Sequence, residues 1–487
     1  TGGLFGDGSG LTGAGSTAYI KQDVTAVSGT TTINLNDGNI IYLTHSNNTT
    51  IAFSNVKTAD DVTIIRTLTD NTITWPSGFV WDGGSEPTLI SNTRSAAGQV
   101  FNLVTYNAGT NWYGYEEVDS DPQTFEMFSW GVGSYGRLGQ NSTTQRSSPT
   151  QVPGTTWSTL FRGDGDGDRH LSSAIKSDGT LWMWGLNTNG GLGQNNRTQY
   201  SSPVQIPGTT WSGGGYRRHG FGGIKSDGTL WSWGSGSWGM NASNNQTYYS
   251  SPNQIPGTTW KQVGGGHLNV FATKTDGTLW GWGNGHWGKL GNNKNQNDSG
   301  FSTSSPAQIP GTTWAVVAGY SNGGAATKTD GTFWAWGYNN VGQLGQNDKT
   351  HRSSPTQVPG TTWGTTTDTL LQSPEVQGSI KTDGTLWMWG NNESGELGQN
   401  NLTDYSSPKQ IPGTTWKQIN FIGGGGSNGA MLATKTDGTM WSWGRNELGN
   451  LGQNNTTHRS SPTQIPGTTW GVIGSAGNGG LALKTSS

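Results

Sequence analysis

The segment KTDGTFWAWGYNNVGQLG, residues 328–345, decides the fold because near copies of it return at a nearly fixed interval. Its Trp-x-Trp-Gly core, once with Phe in place of the first Trp, occurs seven times, and so does the pentapeptide Pro-Gly-Thr-Thr-Trp. The steps between successive Trp-Gly sites are 54, 49, 49, 54, 53 and 54 residues. A period of this size is typical of repeat proteins, whose units bury their apolar faces only against neighbouring units.

Each repeat contains four short strands. In one copy, residues 260–263 and 270–274 alternate between apolar and polar, Asp276-Gly277 predicts a hairpin turn, and strands follow at 279–282 and 306–309. Seven units of four antiparallel strands predict a seven-bladed β-propeller. The last copy ends before its own Trp-x-Trp strand, and the missing strand stands at residues 124–130. We therefore expect one blade to be built from both ends of the repeat region, which hides the edges of an open ring.

The composition of the chain divides it into four regions. Residues 1–16 form a Gly-rich leader, 17–118 read as short alternating strands of a small β-sandwich-like domain, 119–123 as a linker, and 124–487 as the propeller. No segment of useful length shows helical periodicity, so the expected fold class is all-β.

Charge and cysteine content exclude several classes of function. Only 12% of the 487 residues are charged and the net charge is −3, so the basic surface that binds nucleic acid is missing. The absence of cysteine removes disulfides, thiol catalysis and cysteine-based metal sites. No apolar run reaches membrane-spanning length. No catalytic set is visible either, so we expect no enzyme, although a glycosidase carboxylate pair is left open.

The tryptophans are mostly periodic. Thirteen of the 25 lie in the Trp-x-Trp sites and seven end the Pro-Gly-Thr-Thr-Trp sites. A buried indole removes roughly 150–250 Å² of surface from water, so twenty of them would stabilise a Gly-rich chain strongly. We expect these twenty to be buried between the blades.

The repeat resembles that of the regulator of chromosome condensation (RCC1) family. The segment 328–345 and its copy 381–398 carry the pattern Lys-Thr-Asp-Gly-Thr-x-Trp-x-Trp-Gly-x-Asn-x-x-Gly-x-Leu-Gly, and the resemblance covers residues 124–487. The Gly-Trp-Arg-His-Thr signature of the plant UV-B photoreceptor branch is absent. The resemblance implies a propeller and, as one function, an intracellular regulatory or protein-interaction module of the GTPase exchange-factor type.

The N-terminal region resembles bacteriophage structural proteins. Residues 6–13 are similar to tail-fibre leader segments, and 74–78, 81–84, 87–89 and 111–114 together are similar to a β-domain of marine phage virion proteins. This resemblance implies a non-enzymatic virion fibre or appendage, located on the virion or outside the cell. Its N-terminal region would attach to other virion proteins, with a homotrimer as one arrangement, and its propeller would bind a host-surface glycan or protein. A purely structural decoration protein is a further alternative.

Strand parity places the candidate ligand site on one face. The Asp-Gly-Thr and Pro-Gly-Thr turns must share a face, and the variable loops that follow the other strands must share the opposite one. Four residues after the Trp-Gly glycine, three repeats carry an aromatic residue: Tyr135, Trp238 and Trp287. These rings suit a sugar or a protein interface; the alternative is local packing.

Charged residues suggest two further sites. Arg217, Arg218 and His219 form a cationic cluster on the variable face that would bind an anionic group, with a solvated loop as the alternative. Asp164, Asp166 and Asp168 resemble the start of a calcium loop, although the Gly and Glu of an EF-hand are missing at its sixth and twelfth positions. Calcium is therefore the one cofactor that the sequence suggests, again against a solvated loop.

Overall fold

The computed structural model describes residues 21–26, 29–35, 40–45, 49–56, 60–66, 73–75, 79–81, 99–105, 112–117, 125–162, 170–371, 373–423 and 429–485. The chain divides into two units, residues 1–123 and 124–487. Within the described ranges, no helix has the length and apolar character needed to cross a membrane.

The N-terminal unit combines a short coil of parallel strands with an antiparallel strand. Its strands are β1 (Lys21–Ala26), β2 (Gly29–Asn34), β3 (Ile40–His45), β4 (Thr49–Ser54), β5 (Asp60–Arg66), β6 (Ile73–Thr74), β7 (Phe79–Trp81), β8 (Gln99–Thr105) and β9 (Trp112–Glu117). Odd-numbered β1, β3 and β5 pair in parallel in one sheet, while β2, β4 and β6 pair in parallel in another. Strands β8, β9 and β7 extend the first sheet to six strands, and β8 is the antiparallel strand, which pairs with β5 and β9.

The two sheets of this unit face each other across one apolar core, as in a sandwich. Ile33, Ile51 and Ile73 point inward from the smaller sheet, and Ile41 and Ile64 from the larger one. From β1 to β6 the chain alternates between the two sheets, so each pair of successive strands makes one turn of a coil. Side chains alternate between the two faces of each strand, and one face of each strand is turned toward the core.

The second unit is a seven-bladed β-propeller, as the repeat count predicts. Blade 1 contains β10 (Phe125–Gly131), β11 (Arg146–Val152), β35 (Trp470–Ser475) and β36 (Gly479–Thr485). Blade 2 contains β12 (Trp157–Leu160), β13 (Leu171–Lys176), β14 (Leu181–Gly185) and β15 (Tyr200–Gln205). Blade 3 contains β16 (Trp211–Arg217), β17 (Gly220–Lys225), β18 (Leu230–Gly234) and β19 (Tyr249–Ile255). Blade 4 contains β20 (Trp260–Gly265), β21 (Asn269–Lys274), β22 (Leu279–Gly283) and β23 (Thr303–Ile309). Blade 5 contains β24 (Trp314–Tyr320), β25 (Gly323–Lys328), β26 (Phe333–Gly337) and β27 (Arg352–Val358). Blade 6 contains three strands, β28 (Val376–Ile380), β29 (Leu386–Gly390) and β30 (Tyr405–Ile411). Blade 7 contains β31 (Trp416–Gly423), β32 (Gly429–Lys435), β33 (Met440–Gly444) and β34 (Arg459–Ile465). Three single 3₁₀ turns, η1 (Ser134–Gly136), η2 (Ser237–Gly239) and η3 (His286–Gly288), follow β10, β18 and β22.

Blade 1 closes the ring. Strand β10 pairs antiparallel with β36 along its whole length, from Phe125 opposite Thr485 to Gly131 opposite Gly479. The blade order is β11-β10-β36-β35, so the two ends of the propeller sequence lie side by side in one sheet. The predicted composite blade is confirmed.

The spacing that recurs within Asp-Gly-Thr-x-Trp has a local cause, which blade 2 illustrates. Asp178 accepts hydrogen bonds from the backbone N–H and the hydroxyl of Thr180, at 2.9 and 2.6 Å. The Thr180 hydroxyl in turn accepts the indole N–H of Trp182 at 2.8 Å. Gly179 between them has φ 75°, a conformation that favours glycine. The turn therefore fixes the position of the first Trp of each Trp-x-Trp pair.

The second Trp of each pair joins its blade to the preceding one. Its indole N–H donates to a backbone carbonyl in the loop of that blade at 2.7–3.0 Å, and the pairs are Trp130–Asn450, Trp184–Arg137, Trp233–Gly191, Trp282–Met240, Trp336–Lys289, Trp389–Gln343 and Trp443–Glu396. The accepting residue is the x of Gly-x-Leu-Gly. The last Gly of that motif packs on the same indole: a Cβ on Gly452 would lie 2.9 Å from Nε1 of Trp130. Only blade 3 departs, with Ala242 at φ 57°.

Exchanging Gly and Ala at these two equivalent positions should change the stability of the propeller in opposite directions. Gly452→Ala should lower the free energy of unfolding by about 1–3 kcal/mol, because an L side chain is disfavoured at φ 66° and meets the indole. Ala242→Gly, at the equivalent site, should raise it by roughly 0.5 kcal/mol by relieving the left-handed conformation. Chemical denaturation of both variants measures the two shifts, and shifts of the same sign would contradict this account.

Burial separates the twenty periodic tryptophans into two groups. The second Trp of every pair is 0–1% exposed, and the Trp that ends each Pro-Gly-Thr-Thr-Trp site is 1–6% exposed. The first Trp of each pair is only half-buried: Trp182, Trp231, Trp280, Trp334, Trp387 and Trp441. The prediction of full burial is therefore confirmed for fourteen residues and wrong for six, which stand near the outer strands.

A charged pair joins blade 2 to blade 6 across the ring. Arg162 follows β12 of blade 2, and its guanidinium donates to Asp368 at 2.7 Å and to the carbonyls of Leu370 and Ile419 at 3.3 and 2.9 Å. Asp368 and Leu370 belong to the irregular inner segment of blade 6, where two isolated bridges replace a strand. Burial lowers the pKa of Arg162, and the Asp368 carboxylate opposes that shift.

Removing this guanidinium should destabilise the propeller. Arg162→Ala leaves Asp368 and two carbonyls without their donor, so we expect the free energy of unfolding to fall by about 3 kcal/mol or more. The matched control is Arg445→Ala, which breaks the exposed pair with Glu447 at 2.6 Å and should change stability by less than about 0.5 kcal/mol. If denaturation experiments show that both variants lose the same free energy of unfolding, the Arg162–Asp368 pair stabilises the propeller no more than an exposed pair does.

Candidate functional site

The exposed large hydrophobic side chains share one face of the propeller. In the described part of the chain they are Tyr135, Trp238, Tyr248, Trp287, Leu402 and Leu448, 39–63% exposed. All six lie in loops that join the third strand of a blade to its fourth. Because the blades are antiparallel, these loops and those joining the first strand to the second lie on the same side. We call this side the loop face.

Two kinds of third-to-fourth loop occur, and the residue two positions after the Trp-Gly glycine separates them. Four loops carry a buried Asn there: Asn187, Asn339, Asn392 and Asn446. In blade 2, the Asn187 amide donates to the carbonyls of Asn196 and Thr198 at 3.1 and 3.0 Å, and its oxygen accepts from Leu192 N–H at 2.9 Å. That side chain ties the loop together from inside.

The other three loops carry Gly at that position and an aromatic residue two positions later. A Cβ on Gly133, Gly236 or Gly285 would collide with the backbone of the same loop, so the Asn arrangement cannot form. The aromatic residues follow within the 3₁₀ turns at positive φ: 61° for Tyr135, 58° for Trp238 and 55° for Trp287. Non-glycine residues in this conformation are strained and often lie at functional sites.

Two of these residues belong to a continuous group of rings that spans blades 3, 4 and 5. We call it the aromatic ridge; its members are Trp238, His286, Trp287, Phe301, Tyr338 and His351. Their ring centroids are 4.7–5.9 Å apart along the series. Tyr135 stands apart in blade 1, where it stacks on His170 at 4.8 Å.

Hydrogen bonds and charges hold the ridge in place. Tyr248 shares a 2.7 Å hydrogen bond with the hydroxyl of Ser237, beside Trp238, and its contacts with Ser237 and Ser235 lower the pKa of the phenol. Lys289 lies 5.2 Å from the ring centre of Trp287. Burial lowers the pKa of His351, whose Nδ1 accepts a backbone N–H from Asn339 at 2.9 Å. The ridge therefore presents aromatic rings with a lysine ammonium beside Trp287.

The predicted cationic cluster is only partly on the surface. Arg217 is 1% exposed, so its prediction as a surface ligand residue is wrong. Its guanidinium donates to the Trp233 carbonyl at 2.6 Å, the Ser232 hydroxyl at 2.8 Å and the Ser235 carbonyl at 3.2 Å, and burial lowers its pKa to about 9. Arg218 and His219 are half-buried.

The reason for this burial is positional. Arg217 is the sixth residue after the Trp that begins its inner strand, and Tyr320 occupies the same place in blade 5. The Tyr320 hydroxyl donates to the Trp336 carbonyl at 2.9 Å, just as Arg217 donates to that of Trp233. Both side chains fill the space under the third strand.

The calcium prediction stays untested. Asp164, Asp166 and Asp168 lie outside the described residues. Among the residues that are described, no three His, Cys, Asp or Glu side chains group in a way that could hold a metal ion.

Sequence reasoning missed four members of the ridge: His286, Phe301, Tyr338 and His351. They stand at different positions of their repeats, so no periodic signal marks them. A scan for aromatic residues near the three Gly-type loops would have found His286 and Phe301, which flank Trp287.

Comparison with known proteins agrees with the geometry of the propeller. The family described as Regulator of chromosome condensation (RCC1) repeat matches residues 126–159, 178–211, 330–363, 383–427 and 437–473. The chain is 28% identical over 383 residues to the mitochondrial RCC1 domain-containing protein RUG3 of Arabidopsis thaliana, covering 68% of this chain and 80% of that protein. It is 29% identical over 155 residues to the ultraviolet-B receptor UVR8 of the same plant, covering 31% of this chain and 33% of UVR8.

A solved structure shows the same fold. Prp20p from Saccharomyces cerevisiae superimposes with a TM-score of 0.61 at 18% identity, covering 75% of this chain and 92% of that chain. The second unit is therefore an RCC1-repeat β-propeller, as the sequence resemblance implied. The family matches begin at residue 126 and give no support to the resemblance of the N-terminal region to phage proteins, which stays a prediction.

One buried carboxyl on the loop side makes stability depend on pH. Glu396 is fully buried and accepts backbone N–H groups from Ser394 and Gly429 at 2.8 and 3.3 Å, yet burial raises its pKa to about 7. Between pH 4.5 and 7, the folded state thus holds a proton that the unfolded state has lost. The free energy of unfolding should therefore fall as pH rises through this window, by about 3 kcal/mol.

Glu396→Gln should remove this dependence. Gln343 already occupies the equivalent place and accepts the Val341 N–H at 3.1 Å, so the amide fits. We expect the stability of the variant to exceed that of the parent by an amount that grows from pH 4.5 to 7. Denaturation across this range measures the difference; a difference that does not change with pH would contradict the assigned titration.

Proposed function

We propose that this protein is a non-enzymatic RCC1-repeat propeller that binds a protein partner through the loop face, with the aromatic ridge at the centre of the contact. The observation that carries the proposal is the gathering of exposed aromatic side chains on one face. Tryptophan and tyrosine at the centre of a contact supply most of the binding energy in protein interfaces. Their strained backbone indicates that exposure here is maintained at a cost to stability.

The shape of the ridge favours a protein over a small ligand. Its rings form a series over three blades, and neither of the two cavities described below includes a ridge residue. Small ligands prefer concave pockets, whereas a row of rings across several loops suits a broad contact. The yeast propeller Prp20p, which shares the fold, is described as binding Gsp1p and histones. A partner-binding role for this chain agrees with that precedent.

The groups with strongly shifted pKa values support a non-enzymatic role. Arg217 donates all its described hydrogen bonds to neutral oxygens within the blade, and Glu396 accepts from two backbone N–H groups at a blade interface. Both side chains are buried in packing rather than facing a cleft. Their shifts therefore follow from structural burial.

A virion appendage is a second candidate. It is favoured by the separate N-terminal unit, whose parallel coil has its own core and is built differently from the propeller. In this version of the proposal the N-terminal unit serves attachment or assembly, while the loop face binds a host-surface protein or glycan. The two candidates share the ridge and differ in the identity of the partner.

The ridge is tested by truncating its exposed rings. Trp238→Ala and Trp287→Ala should each weaken binding of the partner by about tenfold or more, because each removes an exposed indole from the contact. The control is Leu402→Ala, which removes a 63% exposed side chain from the same face in blade 6 and should change affinity little.

The partner is found by photo-crosslinking of the full chain, purified, and titrated by calorimetry against each variant. Because the side chains are exposed, all three variants should keep the parent's unfolding midpoint. If the purified partner binds the two Trp variants as tightly as the parent, the ridge is not the site. If it is a capsid or tail protein, or a host-surface molecule, the second candidate gains over a regulatory role.

A further inference from the structure

Every blade holds a lysine ammonium against tryptophan rings near its outer strands. The lysine ends the second strand, and its Nζ lies 4.4–5.0 Å from the centres of two indoles: one begins the first strand and the other is the half-buried Trp of the third strand. In blade 1, where Phe128 replaces one Trp, Lys484 keeps only Trp470, at 5.7 Å. Because it recurs in all seven blades, this stack stabilises the fold.

Between blades 3 and 4 the stack forms the floor of an open groove of about 620 Å³. Lys274 and Trp280 lie at the bottom, together with buried Trp260. The walls carry mainly side-chain amides and hydroxyls, from Ser243, Asn244, Asn245, Tyr249, Asn253, Gln254 and Ser305, with Pro256 and Pro306 beside them. A smaller groove of about 340 Å³ repeats this layout between blades 6 and 7, over Lys435 and Trp441.

The repeat changes at the groove between blades 3 and 4. Ala242 stands where the other blades have the last Gly of Gly-x-Leu-Gly, and Asn253 follows the outer-strand proline where the other blades have Thr, Val, Ala or Lys. Both residues line the groove. The changes place an extra amide beside the indole and the ammonium.

An extended peptide is a poor occupant. The outer strand of every blade contains Ser-Ser-Pro, with prolines at Pro149, Pro203, Pro252, Pro306, Pro355, Pro408 and Pro462. Proline lacks the N–H that an added strand would need, and it is a common way of blocking a sheet edge. Strand addition along the walls of the groove is therefore disfavoured.

We propose that the groove between blades 3 and 4 binds an oligosaccharide that carries carboxylates, such as a chain of uronic acid units. The half-buried indole of Trp280 offers an apolar surface to the C–H face of a sugar ring. The amide of Gln254 and the amide oxygen of Asn253 match the sugar hydroxyls in hydrogen-bonding capacity. The amide of Asn245 is used within its own loop, where it donates to the Ser243 carbonyl at 3.1 Å and accepts the Thr247 N–H at 2.8 Å.

Lys274 is half-buried, and its Nζ lies 4.7 and 4.4 Å from the centres of the Trp260 and Trp280 rings. Its ammonium interacts electrostatically with the Asp276 carboxylate but makes no hydrogen bond or salt bridge with a described residue, so its N–H groups can donate to a ligand carboxylate.

This site is independent of the ridge. None of its lining residues belongs to the ridge, and its ligand is a saccharide rather than a protein. Failure of one proposal therefore leaves the other standing.

The test titrates the full chain with trigalacturonate and with the neutral galactotriose. Trigalacturonate should bind the parent, less tightly as salt is raised, and at least about tenfold more tightly than galactotriose. Lys274→Met should weaken trigalacturonate binding by roughly tenfold. Asn253→Thr, which installs the residue found at this place in blades 1, 5 and 7, should weaken it severalfold without unfolding the blade.

Two controls separate binding from structure. Lys225→Met removes the same stack from blade 3 and should cost as much stability as Lys274→Met while leaving affinity unchanged. Lys261→Met removes an exposed charge one residue from Trp260 and should also leave it unchanged. The proposal is overturned if trigalacturonate does not bind at millimolar concentration, if galactotriose binds equally well, or if Lys225→Met weakens binding as much as Lys274→Met.

Discussion

The ring depends on one hydrogen bond repeated between all neighbouring blades: the indole N–H of a third-strand Trp to a carbonyl of the preceding blade. It satisfies a polar group that would otherwise be buried without a partner, which costs roughly 1–3 kcal/mol at each site. Because the acceptor is backbone, the residue that supplies it can vary freely, and it does: Arg137, Gly191, Met240, Lys289, Gln343, Glu396 and Asn450. The Leu and the last Gly beside it vary much less, and blade 3 departs with Asn241 and Ala242 in their places. The closing bond, from Trp130 to Asn450, joins residues 320 positions apart and makes the series a circle.

A second contact, four residues after the first, also joins each loop to the next blade. Two residues after the motif, an Asn at positive φ donates its N–H to the carbonyl of a Ser in the outer strand of the next blade, as Asn195 does to Ser250 at 2.7 Å. The same bond runs from Asn141 to Ser201 and, at the closure, from Asn454 to Ser147, at 2.8 Å each. Both contacts are made by residues that follow the Asn or aromatic position in the chain, so that position can hold either an internal Asn tie or an outward aromatic ring while both contacts are kept. That freedom is what allows three loops of an otherwise regular ring to present Tyr135, Trp238 and Trp287.

Features that recur in every repeat could be predicted from the sequence. Features that depend on contacts between distant parts of the chain could not. Blade number, strand order and the composite blade follow from recurring residues. The parallel coil of the N-terminal unit does not, because an alternating strand such as Ile40–His45 has the same pattern whichever strand it pairs with. Arg217 was misplaced since residue type suggested the surface, whereas its position under β18 sets its burial. Arg162 and Asp368 are 206 positions apart in two repeats that each depart from the pattern, so nothing local connects them.

The features that distinguish this protein from a regular propeller therefore lie mostly where its repeats depart from their common pattern. Residues at regular positions form the hydrogen bonds and packing contacts that join neighbouring blades, so a substitution there disturbs a blade interface. Irregular positions do not make these contacts: the Thr-rich inner segment of blade 6 places Asp368 against Arg162, Gly236 and Gly285 precede outward-facing rings, and Ala242 and Asn253 line a groove. The ridge and the groove adjoin the same two blades, 3 and 4; both of these blades lack the Asn tie, and blade 3 also departs from Gly-x-Leu-Gly. A binding surface on this propeller is therefore expected where its repeats are least alike, because only there is side-chain chemistry not already used to hold neighbouring blades together.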